Sequence, residues 1–348
     1  MGRAKRPAKR AQGRGLMAPA LGMVAGVALL GLAGGVWVLS GVYGPGPRAK
    51  LGDQTEITLK RGQGVIALTK TLKEQGLIRD TLTFRLAARL KGEDKPLMAG
   101  DYAIPSGASA MQILDRLHKG DVILRVVTVP EGKTSAMVVR ILMAEPLLTG
   151  KVKTPEEGVI LPDTYAFDRG ESRQAVLDRM IAAQNALMQD LWPKRDHTIP
   201  IKTPKEAIIL ASVVEKETGL AHERPQVAAV FVNRLRLGMR LQSDPTVVYG
   251  VSKGEPLGRG LRQSELTTST PWNTYTVNGL PQTAIANPGR AAIEAVLNPP
   301  KSNDLFFVAD GTGGHAFAVT YEEHKQNVAR WRVIEAKAAQ SAAKANGN

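Results

Sequence analysis

Ala207-Ile208-Ile209-Leu210-Ala211-Ser212-Val213-Val214-Glu215-Lys216-Glu217-Thr218 sets apolar residues at almost every azimuth of a helix through Val214, and only then do two carboxylates arrive. A helix apolar on most sides is a buried helix, so the segment predicted over 203–218 is the element around which a domain packs. At about 100° per residue, Glu215 and Glu217 fall on opposite shoulders of the stripe formed by Ala207, Ala211 and Val214, while Lys216 points away. At least one carboxylate therefore meets a partly apolar environment, where desolvation favours the protonated form near neutral pH. That is the state a general acid needs in order to protonate a glycosidic oxygen. Residues two apart on a helix do not face each other, so this pair does not clamp one scissile bond as acid and nucleophile. A single working carboxylate is the consistent arrangement. The plainer alternative is a pair of ordinary ion-pairing residues, with His222, Glu223 and Arg224 close behind.

Downstream, a helix is predicted over 224–237, and the run Met239-Arg240-Leu241-Gln242-Ser243-Asp244-Pro245-Thr246-Val247-Val248-Tyr249-Gly250 then breaks the helical pattern. It gathers several hydrogen-bonding groups in a short space, as sugar polymers require. Asn233 and Arg234 precede it, and Asn273-Thr274-Tyr275-Thr276 and Gly279-Leu280-Pro281 follow. Each of these alone reads as a turn, but their accumulation beside one buried acidic helix favours a binding cleft. Residues 239–320 are rich in Gly, Pro, Asn and Thr with short strands such as Leu305–Val308, which reads as a groove walled by loops on helical supports. Other chemistries find no footing. Asp310-Gly311-Thr312-Gly313-Gly314-His315 lacks the Gly-Lys-Ser/Thr ending of a phosphate loop and reads as a hairpin turn. His222, His315 and His324 have no metal-ligand spacing, no GxSxG elbow occurs, and the absence of cysteine excludes thiolate and disulfide chemistry. No cofactor or metal is expected.

Upstream, Glu56–Leu59 alternates as a strand. Val65, Ile66, Leu68, Thr69 and Leu72 follow at helical spacing, and Leu82, Phe84, Leu86, Ala87 and Leu90 mark a second helix. Ala99–Pro105 reads as a strand and Ser109 as the N-cap of a helix ending near Gly120, so the segment is a small α+β module. Val122–Val129 is a nearly continuous apolar strand. Before all of these, Gly44-Pro45-Gly46-Pro47 cannot continue a helix and separates the module from an apolar run, Met17–Tyr43. As a helix that run measures roughly 40 Å at about 1.5 Å per residue, enough to cross a bilayer with tilt. Its Gly22 and Gly26 are read as ordinary helix packing. Arg3, Lys5, Arg6, Lys9, Arg10 and Arg14 precede it with no acid among them, which places the N-terminus in the cytoplasm and the rest outside, with Trp37 and Tyr43 in the outer interfacial belt. A cleaved signal peptide is the competing reading.

These six charges leave only +8 of the +14 net charge to the remainder of the 348 residues, which weakens a nucleic-acid reading drawn from the basic pI. Aromatics at 5% also disfavour a platform for stacking single strands. No nucleic-acid partner is expected.

Val214-Glu215-Lys216-Glu217-Thr218, Glu223-Arg224, Val230-Phe231-Val232-Asn233-Arg234-Leu235 and Leu241-Gln242-Ser243-Asp244-Pro245-Thr246-Val247 together resemble the YceG-like, membrane-bound endolytic murein transglycosylases. The likeness continues through Gly158–Tyr165, Asn273–Tyr275, Gly279–Pro281, Ile285–Gly289 and Phe306–His315. Lys119-Gly120 and Pro130-Glu131-Gly132 resemble the family's junction between a LysM-like module and the catalytic domain. The resemblance implies an α+β chain in six parts: a basic cytoplasmic tail at 1–16, a transmembrane helix at 17–43 and a linker at 44–52; then a LysM-like module at 53–125, a lysozyme-like or YceG-like catalytic domain at 126–335 and a flexible tail at 336–348. It also implies non-hydrolytic cleavage of the β-1,4 bond between N-acetylmuramic acid and N-acetylglucosamine, which leaves 1,6-anhydromuramoyl ends. In that reading Glu217, which with Thr218 resembles the Glu-Ser/Thr signature of lysozyme-like transglycosylases, is the general acid and base. Glu215 is the secondary candidate, and Asn233, Arg234, Gln242, Asp244, Thr246, Tyr249, Asn273 and Tyr275 are the substrate contacts. The implied partners are peptidoglycan strands, the inner membrane and the synthases that make the strands. A catalytically silent peptidoglycan-binding scaffold and a lysozyme-like muramidase remain the alternatives.

Overall fold

Short elements cut by caps and left-handed glycines make up the first of two compact units in this computed structural model, which describes residues 17–50, 52–92 and 97–346 and divides between Leu124 and Arg125. The basic cluster from Arg3 to Arg14 lies outside the described residues. Helix α1 (Met17–Tyr43) exposes most of its described apolar side chains, and Gly26–Tyr43 is apolar enough to span a membrane, with mean hydropathy 1.7 over 18 residues. By length and composition it is a candidate span or signal sequence. Val42, near its end, is buried in the unit's core.

Strand β1 (Gln54–Leu59) leads to α2 (Val65–Glu74) and α3 (Thr81–Lys91), and the chain returns as β2 (Gly100–Pro105), antiparallel to β1 with Ile57 opposite Tyr102. The Asp80 side chain caps α3 by accepting from the Thr83 N–H. Ser109 opens α4 (Ala110–Lys119) with a reciprocal capping box to Gln112, and Gly120 closes it at φ 68°, a left-handed position that suits glycine. Ile57, Leu59, Leu68, Leu72, Phe84, Tyr102, Ile113 and Leu117 fill the core.

The second unit opens with β3 (Arg125–Thr128), shorter than the strand read over 122–129 because Val122 and Leu124 are exposed and unpaired with any strand. After α5 (Ser135–Ala144), strand β4 (Thr164–Phe167) pairs antiparallel with β3, and α6 (Arg173–Leu191) covers a core of Val127, Val138, Leu142, Ile160, Val176 and Met180. Helix α7 (Pro204–Glu217), capped by the Thr203 side chain, carries Leu210, Ala211, Val213 and Val214 through the centre of a larger core. Around it pack α8 (Arg224–Arg236), α9 (Asp244–Ser252) and, beyond the short α10 (Gln263–Thr267), α11 (Arg290–Leu297).

Two of these helices lie where the sequence reads as loop. The second half of 239–250 is helical because Pro245 sits in the first turn, where its missing N–H costs nothing, and Val247 is buried. Helix α11 is short, and it is fenced by Gly289 and by Asn298-Pro299-Pro300. The 310–314 segment is the turn of a hairpin joining β5 (Phe306–Ala309) to β6 (His315–Ala318). The last helix, α12 (Tyr321–Asn346), continues through most of the stretch read as a flexible tail, since Ala, Lys and Gln are strong helix formers.

Candidate active site

Glu217 is the last residue of α7; Thr218 leaves the helix with extended backbone, so the carboxyl stands where a rigid core element meets loops. Ser243 Oγ donates to Glu217 Oε2 at 3.1 Å. Ser243 is itself fixed: its N–H donates to Thr274 Oγ1 at 2.9 Å, and its carbonyl accepts from Thr246 Oγ1 at 2.6 Å. Burial pushes the Glu217 pKa up to about 7; the Ser243 hydrogen bond lowers it, the Asp244 charge raises it and the Arg234 charge lowers it. A carboxyl raised this far keeps its proton much closer to neutral pH than an ordinary glutamate, which suits a group that gives a proton to an oxygen and takes one back.

Asp244, exposed at the start of α9, accepts from the Tyr275 hydroxyl at 2.6 Å. Burial, and then the hydrogen bond to Asp244, raise the Tyr275 hydroxyl above its ordinary value and keep it a donor. Gln242 stands exposed beside Ser243 with φ 52°, its N–H donating to the Thr274 carbonyl at 3.2 Å. Arg234 is buried and ties two segments together. Its Nε donates to the Leu305 carbonyl at 2.6 Å and its Nη1 to the Leu241 carbonyl at 2.7 Å, with Gln242 Oε1 at 3.5 Å. Glu217, Arg234, Gln242, Asp244 and Tyr275 thus gather at one place.

The other residues singled out from sequence have different surroundings. Asn233 Nδ2 donates to the Ser302 carbonyl at 2.8 Å and to the Asp304 carbonyl at 3.1 Å, pinning the loop before β5. Asn273 donates to the Glu265, Leu266 and Thr268 carbonyls and accepts from the Tyr275 N–H at 2.9 Å, which shapes the loop that presents Tyr275. Thr246 is fully buried behind Ser243, 2.8 Å from Thr274 Oγ1. Tyr249 packs edge-on against Trp272 and donates to Glu157 Oε1 at 3.5 Å, in a separate cleft. Ser243 and Thr274 escaped the reading of individual residues. The signal for Ser243 is its place immediately before Asp244-Pro245, where helices find their caps.

Glu215 turns the other way into a closed network. Its Oε1 accepts from Arg224 at 3.1 Å, its Oε2 accepts from the Gly289 N–H at 2.9 Å, and the same Arg224 nitrogen reaches Glu131 at 3.0 Å. Burial raises its pKa, the Gly289 hydrogen bond lowers it, Glu131 raises it and Arg224 lowers it. A Cβ at position 289 would lie 1.8 Å from Glu131 Oε1, so a side chain there has to displace the Glu131 carboxylate. Glu223 secures the segment after α7 by accepting from the His315 N–H at 2.9 Å, with His315 Nδ1 at 2.7 Å. Among the described residues no group of three or more His, Asp or Glu side chains is placed to hold a metal ion.

Fold and site define a mixed α and β protein with a carboxylic acid at the end of a buried helix, beside the exposed polar side chains of Gln242 and Asp244. The chain belongs to the YceG-like family, whose profile matches residues 57–330. It is 27% identical over 324 residues to an endolytic murein transglycosylase of Streptococcus pneumoniae, an alignment covering 78% of this chain and 57% of the relative. The chain therefore spans little more than half the length of that relative. An endolytic murein transglycosylase of Bacillus subtilis is 27% identical over 314 residues, covering 81% of this chain and 85% of the relative. A crystal structure of a yceG-like protein from Listeria monocytogenes matches with TM-score 0.49 and 26% identity over 79% of this chain and 99% of that one.

Proposed function

We propose that this protein is a peptidoglycan lytic transglycosylase in which Glu217 protonates the glycosidic oxygen leaving N-acetylmuramic acid. The observation that carries the reading is the Glu217 carboxyl, raised to about 7 at the end of α7 and hydrogen-bonded by Ser243. Protonating the oxygen breaks the β-1,4 bond and leaves Glu217 as a carboxylate. The carboxylate then removes the proton of the sugar's own C6 hydroxyl as that oxygen attacks C1, closing a 1,6-anhydro ring. An intramolecular nucleophile has a high effective molarity and needs no second protein carboxylate. Gln242, Asp244 and the half-buried Tyr275 supply polar contacts for the sugars, Arg234 fixes the segment that carries Gln242, and Glu215 is structural.

The name borne by the pneumococcal and Bacillus relatives supports this activity. The apolar helix α1 supports a single-pass anchor in the inner membrane, with the basic tail inside and the rest outside. From that anchor the enzyme trims nascent strands near the synthases that make them. The two strands and helices at 54–119 support the LysM-like reading of the first unit.

A second reading has one observation in its favour. Asp244 lies close enough to raise the Glu217 pKa, so a water-activating carboxylate is at hand for hydrolysis. Digestion of purified sacculi in H₂¹⁸O separates the two. Anhydro-ended muropeptides without label are expected; labelled reducing ends overturn the transglycosylase in favour of a muramidase, and no cleavage at all leaves a binding scaffold.

A further inference from the structure

A cleft of about 640 Å³ in the second unit, distinct from the Glu217 site, is lined by Glu157, Lys205, Ile208, Tyr249, Trp272 and Ala284. Its floor is apolar and its polar groups are of both signs. Glu157 Oε2 accepts from the Ser135 N–H at 2.8 Å, whereas Oε1, approached by the Tyr249 hydroxyl at 3.5 Å among the described residues, keeps acceptor capacity. Lys205 Nζ stands 4.0 Å from Glu156, with both side chains largely exposed. Lys253 Nζ rests 3.3 Å from the centroid of the Trp272 ring. Around these walls two carboxylates meet two ammonium groups. A ligand of one charge sign is repelled by half of them, and an aliphatic ligand ending in both signs is complemented by all.

The cleft shares its walls with the acid's surroundings. Helix α7 carries Ile208 nine residues before Glu217, about 13 Å along the axis, and α9 carries Tyr249 five residues after Asp244, about 7 Å. One loop presents both Trp272 to the cleft and Tyr275 to Asp244. Nine residues are about two and a half helical turns, so Ile208 and Glu217 leave α7 on opposite sides, and the 272–275 loop is an element that both sites share.

We infer that this cleft binds a peptide stem of the glycan strand that is cut, through a diamino-acid side chain that ends in both an ammonium and a carboxylate. The inference rests on the transglycosylase reading for its substrate class. The ammonium meets Glu157 Oε1, the carboxylate draws Lys205 from Glu156, and the methylenes lie along the corner formed by Tyr249 and Trp272. The cleft thereby favours strands that still carry peptides over naked ones.

Two measurements on the full-length protein in detergent test this. The first is calorimetric titration with the free tetrapeptide L-Ala-γ-D-Glu-meso-diaminopimelate-D-Ala. Saturable binding is expected, weakened about tenfold by Glu157→Gln, by Lys205→Glu, or by replacing the diaminopimelate with lysine, which has no side-chain carboxylate. No saturable binding, or equal binding in all of these, overturns the proposal. The second compares kcat/KM on peptide-bearing strands and on strands stripped by an amidase. Peptide-bearing strands are expected to be preferred, through a lower KM, and both substitutions are expected to erase the preference. A wild-type enzyme that cuts both kinds of strand equally sinks the peptide cleft and keeps the transglycosylase. A protein that binds the tetrapeptide but cuts neither strand sinks the transglycosylase and keeps the cleft.

Discussion

Glu217 titrates in the range where the cell works, and its surroundings fix how rate and stability follow pH. Acid catalysis needs the proton, so the rate of glycan cleavage is expected to fall as pH rises through about 7, the value set by burial at this carboxyl. Glu217→Gln is expected to abolish cleavage and keep the fold; turnover by that variant near wild-type levels rejects the assignment. Stability moves in a determined direction as well. The folded pKa lies above the ordinary value near 4.5, so this group's contribution is full below about pH 4.5 and is lost as pH climbs to about 7. At pH 8 the Gln variant is therefore expected to unfold at higher urea than wild type, by on the order of 2 kcal/mol after allowance for partial exposure. Glu215→Gln is the contrast. It leaves Arg224 without its buried anionic partner and is expected to cost about 1–3 kcal/mol in the same melt. Helical periodicity set the two carboxylates on opposite shoulders, but it had no means of telling which shoulder faces a cleft. Glu131 and Gly289, which close the network around Glu215, are 84 and 74 residues away along the chain.

Elements were legible where pattern and cap agree, and illegible where tertiary packing supplies the reason. Helices α7 and α8 follow from their apolar runs, and α4 from Ser109 and Gly120. Helices α9 and α11 are short, lie in a segment dense in Gly, Pro and Asn, and gain their stability from Val247, Ile293 and Val296 buried in the second unit. The tail is helical through Asn346 because Ala336 onward, though poor in core residues, is rich in helix formers. Gly289, before α11, offers the sharpest test at this scale. Gly289→Ala pushes a methyl group against Glu131 Oε1 and is expected to lower stability by about 1–3 kcal/mol, read from chemical denaturation, with cleavage falling less than in Glu217→Gln.

Each unit of the molecule holds its own core. Buried residues from Val42 to Leu117 form one cluster in the first unit, and the second carries two, built around α6 and around α7. The fragment 125–348 is therefore expected to fold alone with a cooperative thermal transition, measured by circular dichroism; a non-cooperative melt contradicts the partition. In the sequence, the strand and helix alternation before residue 120 reads as a small α+β module and the buried helix after 203 as the centre of a separate domain. The two short sheets β3–β4 and β5–β6 were only half visible, because strands of four residues carry little periodicity of their own.

Glu217 ends α7, and the aligned peptide dipoles of that helix run negative at its final turn. A bare anion there stands against the helix field, so once its proton has gone to a departing sugar the residue is strongly drawn to recapture one. On the proposed transglycosylase reading the C6 hydroxyl supplies that proton during ring closure, and taking it restores the resting form. The helix field that favours the protonated acid then also favours its return, so each proposed turnover ends where the next begins.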